Sequence, residues 1–114
     1  MIAVIFEACP HPHAKDDYLA IAASLATRLS TMDGFISIER FQGLSRPGKI
    51  LSLSFWRDEE ALRQWRNTEE HRAAQSQGRA GIFADYRLRI AAVVRDYGLM
   101  QREQAPADSR GVHG

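Results

Sequence analysis

Trp65 and His71 stand six residues apart at the end of the segment LSLSFWRDEEALRQWRNTEEH, residues 51 to 71. The pairing suits proton abstraction from an aromatic substrate. The indole supplies an apolar wall, and an imidazole with an ordinary pKa of about 6.5 supplies a base at neutral pH. The same two residues also read as a core tryptophan and a surface histidine. Local geometry bears on the choice. On one unbroken helix His71 would point about 240° round from Trp65 and about 9 Å along the axis, too far to share a pocket. Asn67 and Thr68, followed by Glu69 and Glu70, have the makings of a fresh helix start, with a capping residue and acids in the first turn. A break there would let His71 turn inward.

Other residues are candidates for the same site. Tyr86 and Tyr97 can each present a phenol to a cavity or simply pack at strand ends. Glu7, Glu39 and Arg40 are charged residues inside strands of mainly apolar pattern. They read either as partners in ion pairs or as a polar floor to the pocket. His11 and His13 flank Pro12, but two alternate histidines without a third ligand make a poor metal site. Cys9 is the single cysteine, so no intramolecular disulfide and no cysteine-based metal cluster are expected. It reads as a small buried hydrophobe.

These side chains need a scaffold, and its elements follow from the hydrophobic period. Ile2 to Ala8 is a β-branched and aromatic run ended by Pro10 and Pro12. From Ala14 to Met32 the residues Tyr18, Ile21, Ala22, Leu25, Leu29 and Met32 recur at three- and four-residue steps, the pattern of an amphipathic helix stopped by Asp33-Gly34. Phe35 to Gln42 and Lys49 to Trp56 alternate and are joined by a Ser-Arg-Pro-Gly turn, hence a hairpin. Asp58 is the expected N-cap of a helix whose apolar side holds Ala61, Leu62, Trp65 and Ala73. After a glycine-bounded stretch, Phe83 to Tyr97 reads as the last strand with its approach. The order β-α-β-β-α-β predicts an α+β, ferredoxin-like antiparallel sheet with helices on one face. Residues 1 to 98 form the expected domain. Residues 99 to 114 form a tail, either loose or crossing to a partner subunit.

Both faces of this sheet carry apolar residues, and two helices cover only one. A second copy of the chain would cover the other, so a homodimer is expected. The 114 residues suit one domain, with 45% hydrophobic and 25% charged residues and a net charge of +1. No basic block interleaves with aromatics, so no nucleic-acid partner is expected. No apolar run reaches the length of a membrane span, and the N-terminus lacks the positive region of a signal peptide. A cytoplasmic location follows as the expectation. No glycine-rich phosphate loop points to a nucleotide or flavin.

With this topology in place, GFISIERF at 34 to 41, LSLSFWRDEEALRQW at 51 to 65, EHRAAQ at 70 to 75 and RDYG at 95 to 98 resemble the antibiotic biosynthesis monooxygenase domain family. The resemblance runs from Ile2 to Gly98. It implies a dimeric α/β barrel with a pocket in each subunit between sheet and helices. Some members of that family oxygenate phenols with molecular oxygen and no metal or flavin, and others bind and degrade haem. The haem degraders carry an Asn on the first strand and a His about ten residues beyond the helix Trp. Here Trp65 matches that Trp, but Glu7 falls near the first position and Gln75 occupies the second, which disfavours haem; His71 would be a displaced ligand only if the helix is remodelled. The resemblance therefore implies a cofactor-independent monooxygenase acting on a small aromatic, with His71 as base, Trp65 and Phe83 as wall, and Tyr86 or an arginine as stabiliser. A non-catalytic binding or sensing protein using the same pocket is the alternative.

Overall fold

The computed structural model describes all 114 residues. Its elements are β1 (Ile2–Pro10), α1 (Lys15–Ser30), β2 (Phe35–Gln42), β3 (Ile50–Trp56), α2 (Glu59–Arg66), α3 (Glu69–Gln77), β4 (Phe83–Ala92) and a short α4 (Ala107–His113). The strands form one antiparallel sheet in the order β2-β3-β1-β4, the ferredoxin-like arrangement expected from the element order. One helical turn, Pro12–Ala14, leads into α1, where proline sits at an N-terminal position whose N–H would lack a partner anyway.

Strand alternation sorts the side chains onto two faces. Ile2, Val4, Phe6 and Ala8 of β1, with Ile50, Ser52, Ser54 and Trp56 of β3, face the helices. Most are buried or pack into the core there. The core has two parts. Around fully buried Trp56 gather Leu29, Ala61, Leu62 and Trp65, with Phe35 set edge-on to the Trp56 ring at 5.3 Å. Around Ala8 gather Tyr18, Ile50, Phe6, Ile82 and Phe83. The register pairs Ile2 with Trp56 and Ala8 with Ile50, so six residues, about 20 Å of strand, separate the two ends.

Two glycines are required by close packing. Gly34 adopts φ +84° after α1, and a Cβ there would meet the Ala61 Cβ at 2.5 Å. A Cβ on Gly78 would strike the Phe83 ring at 2.7 Å, so its hydrogen lets Phe83 close against the wide turn formed by Gly78–Ile82.

The structure differs from the sequence reading in three elements. The second helix is two, α2 and α3. The last strand ends at Ala92, because only Val93, donating to the Met1 carbonyl, finds a pairing partner beyond β1's first residues. And the last residues are not wholly loose: 107 to 113 coil into α4, and Arg102 ties the segment together by donating to the Gly98 and Gly114 carbonyls and to Ser109.

Candidate active site

The helix break at Asn67–Thr68 is built by the two side chains themselves. Asn67 Nδ2 donates to the Arg63 carbonyl at 2.9 Å, satisfying an acceptor in the last turn of α2. Thr68 Oγ1 donates to the Trp65 carbonyl at 2.9 Å and accepts from the His71 N–H at 3.2 Å, so it is the N-cap of α3. One hydroxyl thus joins the backbone of Trp65 to that of His71. The acids Glu69 and Glu70 favour the positive end of α3. The change of direction brings the two rings together, with centroids 5.2 Å apart and planes tilted by 52°. Trp65 in turn stacks on Trp56 at 6.5 Å.

His71 is half-buried against this indole, and burial pushes its imidazole below the ordinary histidine pKa. The Arg66 carbonyl opposes the shift, while the neighbouring Arg72 and Arg66 charges add to it. Nδ1 lies 3.4 Å from the Arg66 carbonyl oxygen, a long contact. In the tautomer with the proton on Nδ1, that group donates to Arg66 and Nε2 is the free base. A neutral imidazole with one nitrogen free and an indole beside it can take a proton from a bound aromatic.

Phe83 and Tyr86 do not join this pair. They belong to an aromatic quartet at the other end of the helix-facing side. Phe6 meets Phe83 and Tyr86 at 5.6 Å each, Tyr18 meets Phe83 at 5.4 Å, and Phe83 meets Tyr86 at 5.8 Å. The single wall of Trp65 and Phe83 expected from sequence is therefore two walls, because strand register holds their clusters far apart. Phe6 and Tyr18 were missed. The signal was available, since Phe6 and Phe83 pair with neighbours on adjoining strands, but only once the register is known.

Glu7 and Glu39 need correction as pocket floor. Both occupy odd positions of their strands and point away from the helices. Glu7 is an ion-pair residue there, with its carboxylate 2.7 Å from Lys49 and also bonded to Arg89, which together hold it below the usual carboxylate range. Arg40, opposite Ser52, lies on the helix side instead. Gln75 is exposed on α3. Two surface concavities of about 340 and 390 Å³ lie elsewhere, one around Met1, Phe55 and Arg95 on the open sheet face, the other beside Cys9 and Arg46. No group of three His, Cys, Asp or Glu residues is placed to hold a metal ion, and no helix is long and apolar enough to cross a membrane.

A four-stranded antiparallel sheet, helices on one side and a histidine–tryptophan pair beneath the helix break define a small ferredoxin-like domain with a candidate acid–base site. More narrowly, the family model described as antibiotic biosynthesis monooxygenase matches residues 1–77, and the chain belongs to that family. It is 55% identical over 93 residues to a protein of Pyricularia oryzae named jasmonate monooxygenase ABM, a match covering 82% of this chain. The chain spans only 43% of that relative's length. Among solved structures, Rv0793 from Mycobacterium tuberculosis superposes with a TM-score of 0.77 at 18% identity, over 85% of this chain and 98% of its own. A mutant of SnoaB from Streptomyces nogalater, described as a cofactor-independent oxygenase, does so at 0.73 and 13% identity, over 83% and 94%. At those identities the superpositions establish the fold.

Proposed function

We propose that the chain is a monooxygenase that uses molecular oxygen on a small aromatic substrate without metal or flavin, with His71 as its base. The observation that carries this reading is the half-buried imidazole set 5.2 Å from the Trp65 ring with its pKa lowered. A substrate phenol with a free ring position loses its proton to His71. The phenolate passes one electron to oxygen, and the radical pair combines at that ring carbon. Loss of water then leaves a quinone. One oxygen atom enters the product, the other leaves as water, and the substrate supplies all four electrons. Trp65 excludes solvent from the base, which strengthens the interactions that hold the anion.

The test is oxygen uptake by purified protein with a naphthol or hydroquinone. We expect uptake above the buffer rate, and a loss of about 100-fold or more in His71→Ala. Equal rates for wild type and variant would remove the proposal for that substrate. Ligand-dependent thermal stabilisation without oxygen uptake would instead identify a binding or sensing protein. A second substrate reading rests on the 55% identical relative, which is named for jasmonate. Jasmonate is an alicyclic keto acid, so its consumption, followed by chromatography, separates this reading from the phenol. We further propose that the active form is a cytoplasmic homodimer joined through the open sheet face, with the tail from 99 to 114 crossing to the second copy.

A further inference from the structure

We infer that Arg40 is the recognition group for a carboxylate on the substrate, so that the site takes a small organic acid. This deepens the proposed function and rests on it for the location of the substrate. Arg40 is the single charged side chain on the helix-facing side of the sheet. Its companions there are Ile2, Val4, Phe6 and Ala8 on β1, Ile38 and Gln42 on β2, and the Ser and aromatic residues of β3. It is half-buried, its Nε is buried with no hydrogen-bond partner, and it takes part in no salt bridge.

Several other arginines show what a structural role looks like in this chain, and those without a carboxylate partner are exposed, apart from half-buried Arg102, which donates to two carbonyls and to Ser109. Arg57 is paired with Asp33 and Asp58, Arg63 with Glu60, and Arg89 with Glu7. A guanidinium placed in an apolar setting without a carboxylate is costly to the free protein, and its planar fork matches a carboxylate supplied by a ligand. The position suits that task. Arg40, Ser52, Phe6 and Leu88 form one row across the sheet. Phe6, a member of the aromatic quartet, stands two strands away, about 10 Å at the backbone. Buried Ser52, with its small side chain, lies between them. A flat aromatic or alicyclic acid with its ring on Val4 and Ile38, which pack against the Trp65 cluster, would set its carboxylate toward Arg40, two residues along β2 from Ile38.

The experiment compares acids with their neutral methyl esters: a hydroxynaphthoate and its ester, and jasmonate and its ester. Binding is read by quenching of tryptophan fluorescence and by thermal shift, in the wild type and in Arg40→Met. The wild type is expected to bind at least one acid about tenfold or more tighter than its ester. In Arg40→Met the preference should collapse to about one, while the ligand-free melting temperature stays level or rises because an unpaired buried cation is removed. A preserved acid preference in the variant would overturn the assignment. So would a fall in ligand-free melting temperature with no acid preference in the wild type, which would make Arg40 structural. Oxygen uptake is measured separately. Its absence with both acids would remove the oxygenase reading and leave the carboxylate preference standing on its own data.

Discussion

His71 is the residue on which the proposed catalysis turns, and its protonation sets a testable pH profile. Burial lowers its pKa from the ordinary value, so the neutral base persists to more acidic pH than a free histidine allows. The acid limb of kcat/KM for oxygen uptake is expected below about 6.5, and lost in His71→Ala. An acid limb at or above the ordinary value would assign the profile to another group. Stability follows the same linkage. The folded state is disfavoured only when it must bind the proton, so the contribution is intact above the unfolded value of about 6.5 and is lost as pH falls through the lowered folded value. Trp65, by contrast, is a core residue that also serves as wall in the proposed site. Its burial with Trp56 and Leu62 and its contact with His71 are parts of one packing arrangement.

Between residue and fold stands the junction of α2 and α3. Its chemistry is local: Asn67 closes one helix and Thr68 opens the next, while Thr68 spans from the Trp65 carbonyl to the His71 amide. Thr68→Ala is expected to cost about 1 kcal/mol of stability, the usual value of an N-cap. Because the cap also aims His71, its rate of oxygen uptake should fall further, by up to about 100-fold, with KM little changed. Asp58→Ala is the control. Asp58 caps α2 through the Ala61 amide at 2.9 Å, far from any proposed chemistry, and should cost similar stability with a near-normal rate. Equal effects of the two substitutions on rate would make Thr68 a stabilising residue only. The break itself was legible in the residues 67 to 70, since capping depends on neighbours in the chain and on nothing more distant.

Taken whole, the molecule is a thin slab of 51 × 35 × 20 Å with helices on one side only. Its radius of gyration, 16.5 Å, exceeds the value of about 13 Å for a compact chain of this length. Part of the excess is the C-terminal segment, whose Leu99 and Met100 are almost fully exposed. On the open sheet face Ile5, Leu51, Leu53 and Phe55 are only half-covered. Burying that face against a second copy would remove apolar area from water, so light scattering at micromolar concentration should give the mass of a dimer. Leu53→Lys should yield a folded monomer. A monomeric wild type would end the dimer proposal. A second apolar strip, Tyr86, Leu88 and Ile90 on the helix side of β4, is 42–51% exposed.

The amino-acid sequence by itself determined the four strands, the helices between them, their order, the capped break before His71 and the family, though not where β4 ends or that residues 107 to 113 form α4. The strands, the helices and the break depend on periodicity or on bonds between near neighbours. Tertiary structure alone decided which candidates share a site. Strand order and register are agreements between distant segments, so only they could put Phe83 and Tyr86 with Phe6 and Tyr18, away from Trp65. The face taken by a charged strand residue was open for the same physical reason. Alternation links Glu7, Glu39 and Arg40 to their neighbours, but which alternate set meets the helices is decided by how the helices pack. That packing left Glu7 among cations on the open face and Arg40 unpaired on the helix-facing side.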